Sequence, residues 1–102
     1  MSLRHLTLQE KLELAVSTAE HTLLQLLLLS PEMLVRRAML RNKNITTSMV
    51  DLLAFDVTEN VSYIAMKHNK CTVNRTFEEP ISMCVQCKVD ERTVSCETCP
   101  NR

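Results

Sequence analysis

The sequence predicts a mainly α-helical protein: a short stack of about four helices over residues 1–76, with a small four-cysteine tail, residues 77–102, packed on it. Three observations predict this. Apolar residues make up 45% of the 102-residue chain and are nearly all Leu, Met, Val and Ala, with two Phe, one Tyr and no Trp. Sheets lean instead on aromatic and β-branched side chains. From Leu8 onward the apolar residues recur at steps of three and four, the period of one helix face. Four of the five cysteines fall after position 83, where that period has ended.

The first helix opens on a capping box, Thr7-Leu8-Gln9-Glu10, and continues along the stripe Leu8, Leu12, Ala15, Ala19, Leu23 and Leu26. Its end, Leu23 to Leu29, is apolar nearly all round. It therefore needs cover on more than one side, and a homodimer through this Leu-rich helix would supply it. Ser30-Pro31 ends the first helix and starts the second, with Ser30 as cap and Pro31 at the first helical position. The second helix, about Pro31–Arg41, runs into Asn42-Lys43-Asn44. Thr46, Thr47 or Ser48 caps a third helix carrying Met49, Leu52 and Leu53. After Asp56-Val57-Thr58 a fourth carries Val61, Ile64, Ala65 and Met66, and from Thr72 the pattern is irregular.

Composition excludes several classes. With no glycine in the chain there is no phosphate-cradling loop of the P-loop or dinucleotide type. Formal charge is zero overall; residues 31–76 carry seven Lys/Arg against four Asp/Glu, and residues 77–102 three against five. That basic excess is too small to announce nucleic-acid binding. The longest leucine run, Leu26 to Leu29, is far short of a membrane span, so no membrane partner is expected. No basic stretch followed by an apolar core opens the chain, so the expected location is cytoplasmic. The Asn-x-Ser/Thr triplets at Asn44, Asn60 and Asn74 then read as coincidence, and cysteines in a reducing compartment favour metal over disulfides.

The middle of the chain repeats. Leu34 to Thr46 lies over Asn60 to Thr72 at a spacing of 26, with Val35/Val61 and Thr46/Thr72 identical and apolar or basic character shared elsewhere. Such a period suits stacked helical units; two amphipathic helices that merely look alike would read the same way. Leu34-Val35-Arg36-Arg37-Ala38-Met39-Leu40-Arg41-Asn42, then Thr47 and Met49-Val50-Asp51-Leu52-Leu53-Ala54, resembles the leucine-rich-repeat variant, a HEAT-like helical array. The resemblance covers about residues 31–72. It departs from the family where turn prolines are replaced by Lys43 and by Asn69 or Lys70. It implies an array of stacked helices, and since such arrays occur beside cysteine clusters that bind iron–sulfur, it keeps that cofactor open.

Cys84-Val85-Gln86-Cys87 and Cys96-Glu97-Thr98-Cys99 form two C-x2-C pairs separated by eight residues. Two residues between cysteines let both sulfurs turn toward one point, and two such knuckles make the tetrahedral thiolate shell that zinc accepts at about 2.3 Å. The insert Lys88 to Ser95 is long enough for a small hairpin turning near Asp90-Glu91, flanked by Val89 and Val94. Zinc held by Cys84, Cys87, Cys96 and Cys99 would be a closed, structural site; an iron–sulfur cluster and redox-active thiols are the alternatives. Cys71 and His68 could form a further ligand pair, though Cys71 reads better as a small buried hydrophobe, and His5 and His21 as surface or core residues. Glu78-Glu79 and Asp90-Glu91 read as solvated, and so do the basic Arg36, Arg37 and Arg41, whose alternative role is to rim an apolar interaction surface.

No nucleophilic or acid–base constellation stands out, so no enzyme is expected. The functional expectation is a protein-interaction module with a structural zinc in its tail. The competing class is a DNA-binding helix-turn-helix regulator, with Thr47 to Met66 as the motif. Its recognition helix would offer Glu59, Asn60, Ser62, Tyr63 and Lys67 but no arginine.

Overall fold

The computed structural model describes residue 3, residues 5–77, residues 82–96 and residue 99. Among the described residues five α-helices follow one another: α1 (Leu8–Ser17), α2 (His21–Leu28), α3 (Met33–Ala38, continued by a 3-10 turn over Met39–Arg41), α4 (Thr47–Leu53) and α5 (Glu59–Met66). Among the described residues there is no strand. The fold is mainly helical, as expected, with one helix more than predicted. A radius of gyration of 13.4 Å is that of a compact chain of this length.

The additional helix comes from a break in the first one. The capping box forms as predicted: the Glu10 amide donates to Thr7 Oγ1 at 3.1 Å and the Thr7 amide to Glu10 Oε1 at 3.0 Å. The hydrogen bonds from Thr7 also hold the Glu10 carboxyl below its usual pKa. At Thr18 the backbone turns extended, and the Glu20 amide is held by the Thr18 hydroxyl. The buried Asn42 amide reaches back to donate to the carbonyls of Ala15 (2.9 Å) and Thr18 (2.8 Å), which takes them out of a continuing helix. The break rotates the apolar face. Leu24 and Leu27, rather than Ala19, Leu23 and Leu26, continue the buried stripe of Leu12 and Ala15. The next boundary also differs from expectation: Ser30 accepts the Glu32 amide in a turn, and α3 begins two residues after Pro31 with Glu32 as its cap. Thr46 caps α4, its hydroxyl accepting the Met49 amide.

Backbone hydrogen bonds recur at an offset of 26. Leu24 N–H to Glu20 O (3.0 Å) is matched by Val50 N–H to Thr46 O (3.0 Å), and Asn42 N–H to Met39 O by His68 N–H to Ala65 O, both 3.0 Å. Side-chain turns recur too. Ser30 Oγ accepts the Glu32 amide as Asp56 Oδ1 accepts that of Thr58, and Asn42 Oδ1 accepts the Asn44 amide as His68 Nδ1 accepts that of Lys70. Residues 20–45 and 46–71 thus fold alike, each a helix, a tight corner, a second helix and a capped turn.

The two units are stapled through their corners. Arg36 donates to Ser30 O (2.7 Å) in its own corner and, by Nε and Nη2, to both oxygens of Asp56 (2.8 and 3.1 Å) in the next. In the second unit Ser62 stands where Arg36 stands in the first, and Arg75 takes over, donating to Asp56 O at 2.9 Å. The core runs through both units: Leu24, Leu27, Val35, Met39, Ile45, Val50, Leu53, Val61 and Ala65 are buried, with Leu12 and Ala15 of α1 against them.

Candidate metal site and its docking surface

Each C-x2-C pair closes on the same local turn. The Cys87 amide donates to Cys84 O at 3.2 Å and the Cys99 amide to Cys96 O at 3.3 Å. Cys87 and Cys99 are half-buried, while Cys84 and Cys96 are exposed, and none of the five cysteines is in a disulfide. All four tail cysteines line one cavity of about 860 Å³, whose other walls include Met33 and Leu34 of α3, Glu59 and Asn60 of α5, and Val89 and Val94 of the insert. Among the described residues no three His, Cys, Asp or Glu side chains converge closely enough to hold a metal ion. The four predicted ligands therefore share a cavity without sharing a point.

The insert turns where expected, but without paired strands. Asp90 O accepts the amides of Thr93 and Val94 at 3.0 Å, and the Asp90 carboxylate accepts the Arg92 amide and pairs with its guanidinium. Those bonds from Arg92 hold the Asp90 carboxyl down at about 2.

Glu91, Arg36 and Arg37 overturn the solvated reading, whereas Arg41 stays exposed. Glu91 is only 4% exposed and Arg37 3% exposed, and the two form an ion pair through Arg37 Nε. Arg41 Nε donates to the other Glu91 oxygen at 2.6 Å, a bond that raises the Arg41 pKa. A lone buried charge would be strongly disfavoured, whereas this carboxylate is shared by two guanidinium groups. The surrounding backbone is held as well. Arg37 donates to the carbonyls of Val89 and Cys87, Arg41 to that of Lys88, and Asn60 Nδ2 to those of Val85 (2.6 Å) and Cys87 (2.9 Å). Asn60 Oδ1 accepts from Arg37 at 2.7 Å, and no buried side-chain polar atom among the described residues lacks a partner.

The chain matches no family model, no curated protein and no solved structure.

The cysteines are legible in the sequence, whereas the Arg37, Asn60 and Glu91 cluster that docks the segment beside them is not. The one local signal was Arg37 itself, next to the core positions Val35, Ala38 and Met39 on a short helix. Its partner lies 54 residues away. The remaining candidates are placed as follows. His68 is half-buried, with Nδ1 taken by the Lys70 amide, and burial lowers its pKa, with the charge of Lys70 acting in the same direction. Cys71 packs on the core, its thiol donating to Val73 O at 3.2 Å. His5 and His21 are exposed, and Glu78-Glu79 lie outside the described residues. Of the groups that would read DNA bases, Asn60 and Ser62 are buried, Asn60 beneath the cysteine segment and Ser62 against Ala54 O.

Proposed function

We propose that this protein is a protein-interaction module: a short helical array, of the kind found in the leucine-rich-repeat variant, whose tail is stabilised by structural zinc held by Cys84, Cys87, Cys96 and Cys99. The observation that carries the reading is that both C-x2-C turns line a single cavity while side chains of α3, the following turn and α5 hold the segment between them. Bound zinc would supply no chemistry beyond a cross-link, because all of its protein positions are filled by thiolates.

The 26-residue recurrence of backbone bonds supports the array. The interaction face would be apolar. Leu29 (79% exposed) and Phe55 (57% exposed) occupy matching positions in the two units, with Leu52 and Val57 exposed beside Phe55. DNA binding is disfavoured because Asn60 and Ser62 of α5 are turned to internal partners.

Elemental analysis and an absorbance spectrum of protein purified without chelator test the metal. About one zinc per chain and no visible absorption is the expected result. Iron with sulfide and a brown colour would replace zinc by a cluster, and oxidised thiols without metal would overturn the reading.

A further inference from the structure

From the buried Arg37–Glu91 pair we infer that the cysteine loop is a metal-dependent latch on the helical array, so that zinc occupancy and the docking of the loop on α3 and α5 are one linked equilibrium. This rests on the zinc reading above. Glu91 lies in the middle of the eight-residue insert, so the cross-link that would join the two cysteine pairs closes a loop with Glu91 at its tip. That tip is buried against Arg37 of α3 and Arg41 of the following turn, while Asn60 of α5 holds the carbonyls of Val85 and Cys87 on the approach.

A flexible loop would lose much conformational freedom on docking. A loop already closed by metal has less to lose, so metal binding favours docking. By reciprocity docking favours metal binding to the same extent. The connection is direct because Arg37 donates to Cys87 O and to Asn60 Oδ1, touching a proposed ligand residue and α5 at once. Loss of zinc then frees the tip, leaves Arg37 without its carboxylate, and uncovers the walls formed by Met33, Leu34 and Glu59.

The test is amide hydrogen exchange on the full chain, with and without zinc, alongside zinc affinity from competition with a chromophoric chelator. In the wild-type protein, zinc should slow exchange in α3 and α5 about tenfold or more, and in α1 much less. The latch is removed by pairing Arg37→Met with Glu91→Leu, which deletes both charges and keeps the space filled. Arg41→Ala, at a more exposed position, is a milder second variant. The double variant should still bind one zinc, about fivefold or more weakly, with zinc slowing exchange only in the tail. Arg41→Ala should lie between the two.

If wild-type protein binds zinc with no change in α3 or α5, the latch is refuted and the zinc site stands. Undiminished protection in the double variant also refutes it. If no zinc binds, both the latch and the site fall.

Discussion

Arg37 is a charged residue in a six-residue helix whose neighbours Val35, Ala38 and Met39 are buried, and its burial is tolerable only because Glu91 and Asn60 reach it. Removing one partner should therefore cost far more than removing both. Glu91→Gln leaves two guanidinium groups against a neutral amide and is expected to lower unfolding stability by about 3–5 kcal/mol, most of it recovered in the Arg37→Met, Glu91→Leu pair. Urea unfolding of the three proteins checks this. His68 permits a second prediction at this scale. Its folded pKa is lowered from 6.5, so the unfolded chain takes up the proton more readily. The stability it contributes is present above 6.5 and is lost as pH falls through the lowered folded value. Asn42 does the same work in the first unit, so His68→Asn should keep the turn and flatten the fall in urea midpoint between pH 7.5 and 5.5.

Elements end in this chain where a side chain intercepts backbone groups, and the interceptors come from both near and far. The capping box at Thr7 is local, so Thr7→Ala should cost about 1 kcal/mol and fray only the first turn of α1, as read by amide exchange. The α1–α2 break is not local, because it depends on Asn42 holding Ala15 O and Thr18 O. The corners are intermediate. Arg36 spans two of them, with both Arg36 and Asp56 side chains largely buried. Asp56→Ala should lower stability by roughly 1.5–3 kcal/mol, as for other charged hydrogen bonds, moving the denaturant midpoint without changing the slope.

The molecule as a whole is two similar units with a preceding helix on one side, and on the other residues 72–77, where Thr72 bonds Asp51 and Arg75 bonds Asp56. Repetition places apolar residues at matching surface positions as surely as in the core, and Leu29 and Phe55 are such a pair. Leu29 is largely exposed and Phe55 more than half exposed, so exchanging both for serine removes little buried contact. Thermal unfolding should stay within about 0.5 kcal/mol of wild type, while any dimer seen by sedimentation at rising concentration should be lost. Unchanged association would place the interaction surface elsewhere.

What the sequence determined by itself was whatever depends on near neighbours. Helical periodicity, the Thr7–Glu10 box, a cap among Thr46, Thr47 and Ser48, and the two-residue spacing within each cysteine pair are all short-range, and the structure shows the box, a cap at Thr46 and a turn in each pair. The 26-residue recurrence was visible only over its second half, because the bonds that carry it use different residues, Ser30 for Asp56 and Asn42 for His68. The tertiary structure alone decided that the first helix breaks, that Arg36 and Arg37 turn inward, and that an acidic insert becomes a buried anchor. In each case the deciding group is far along the chain: Asn42 for Thr18, Asp56 for Arg36, Glu91 for Arg37. A charge reads as solvated until its partner is known, since burial is disfavoured for one ion and permitted for a hydrogen-bonded pair.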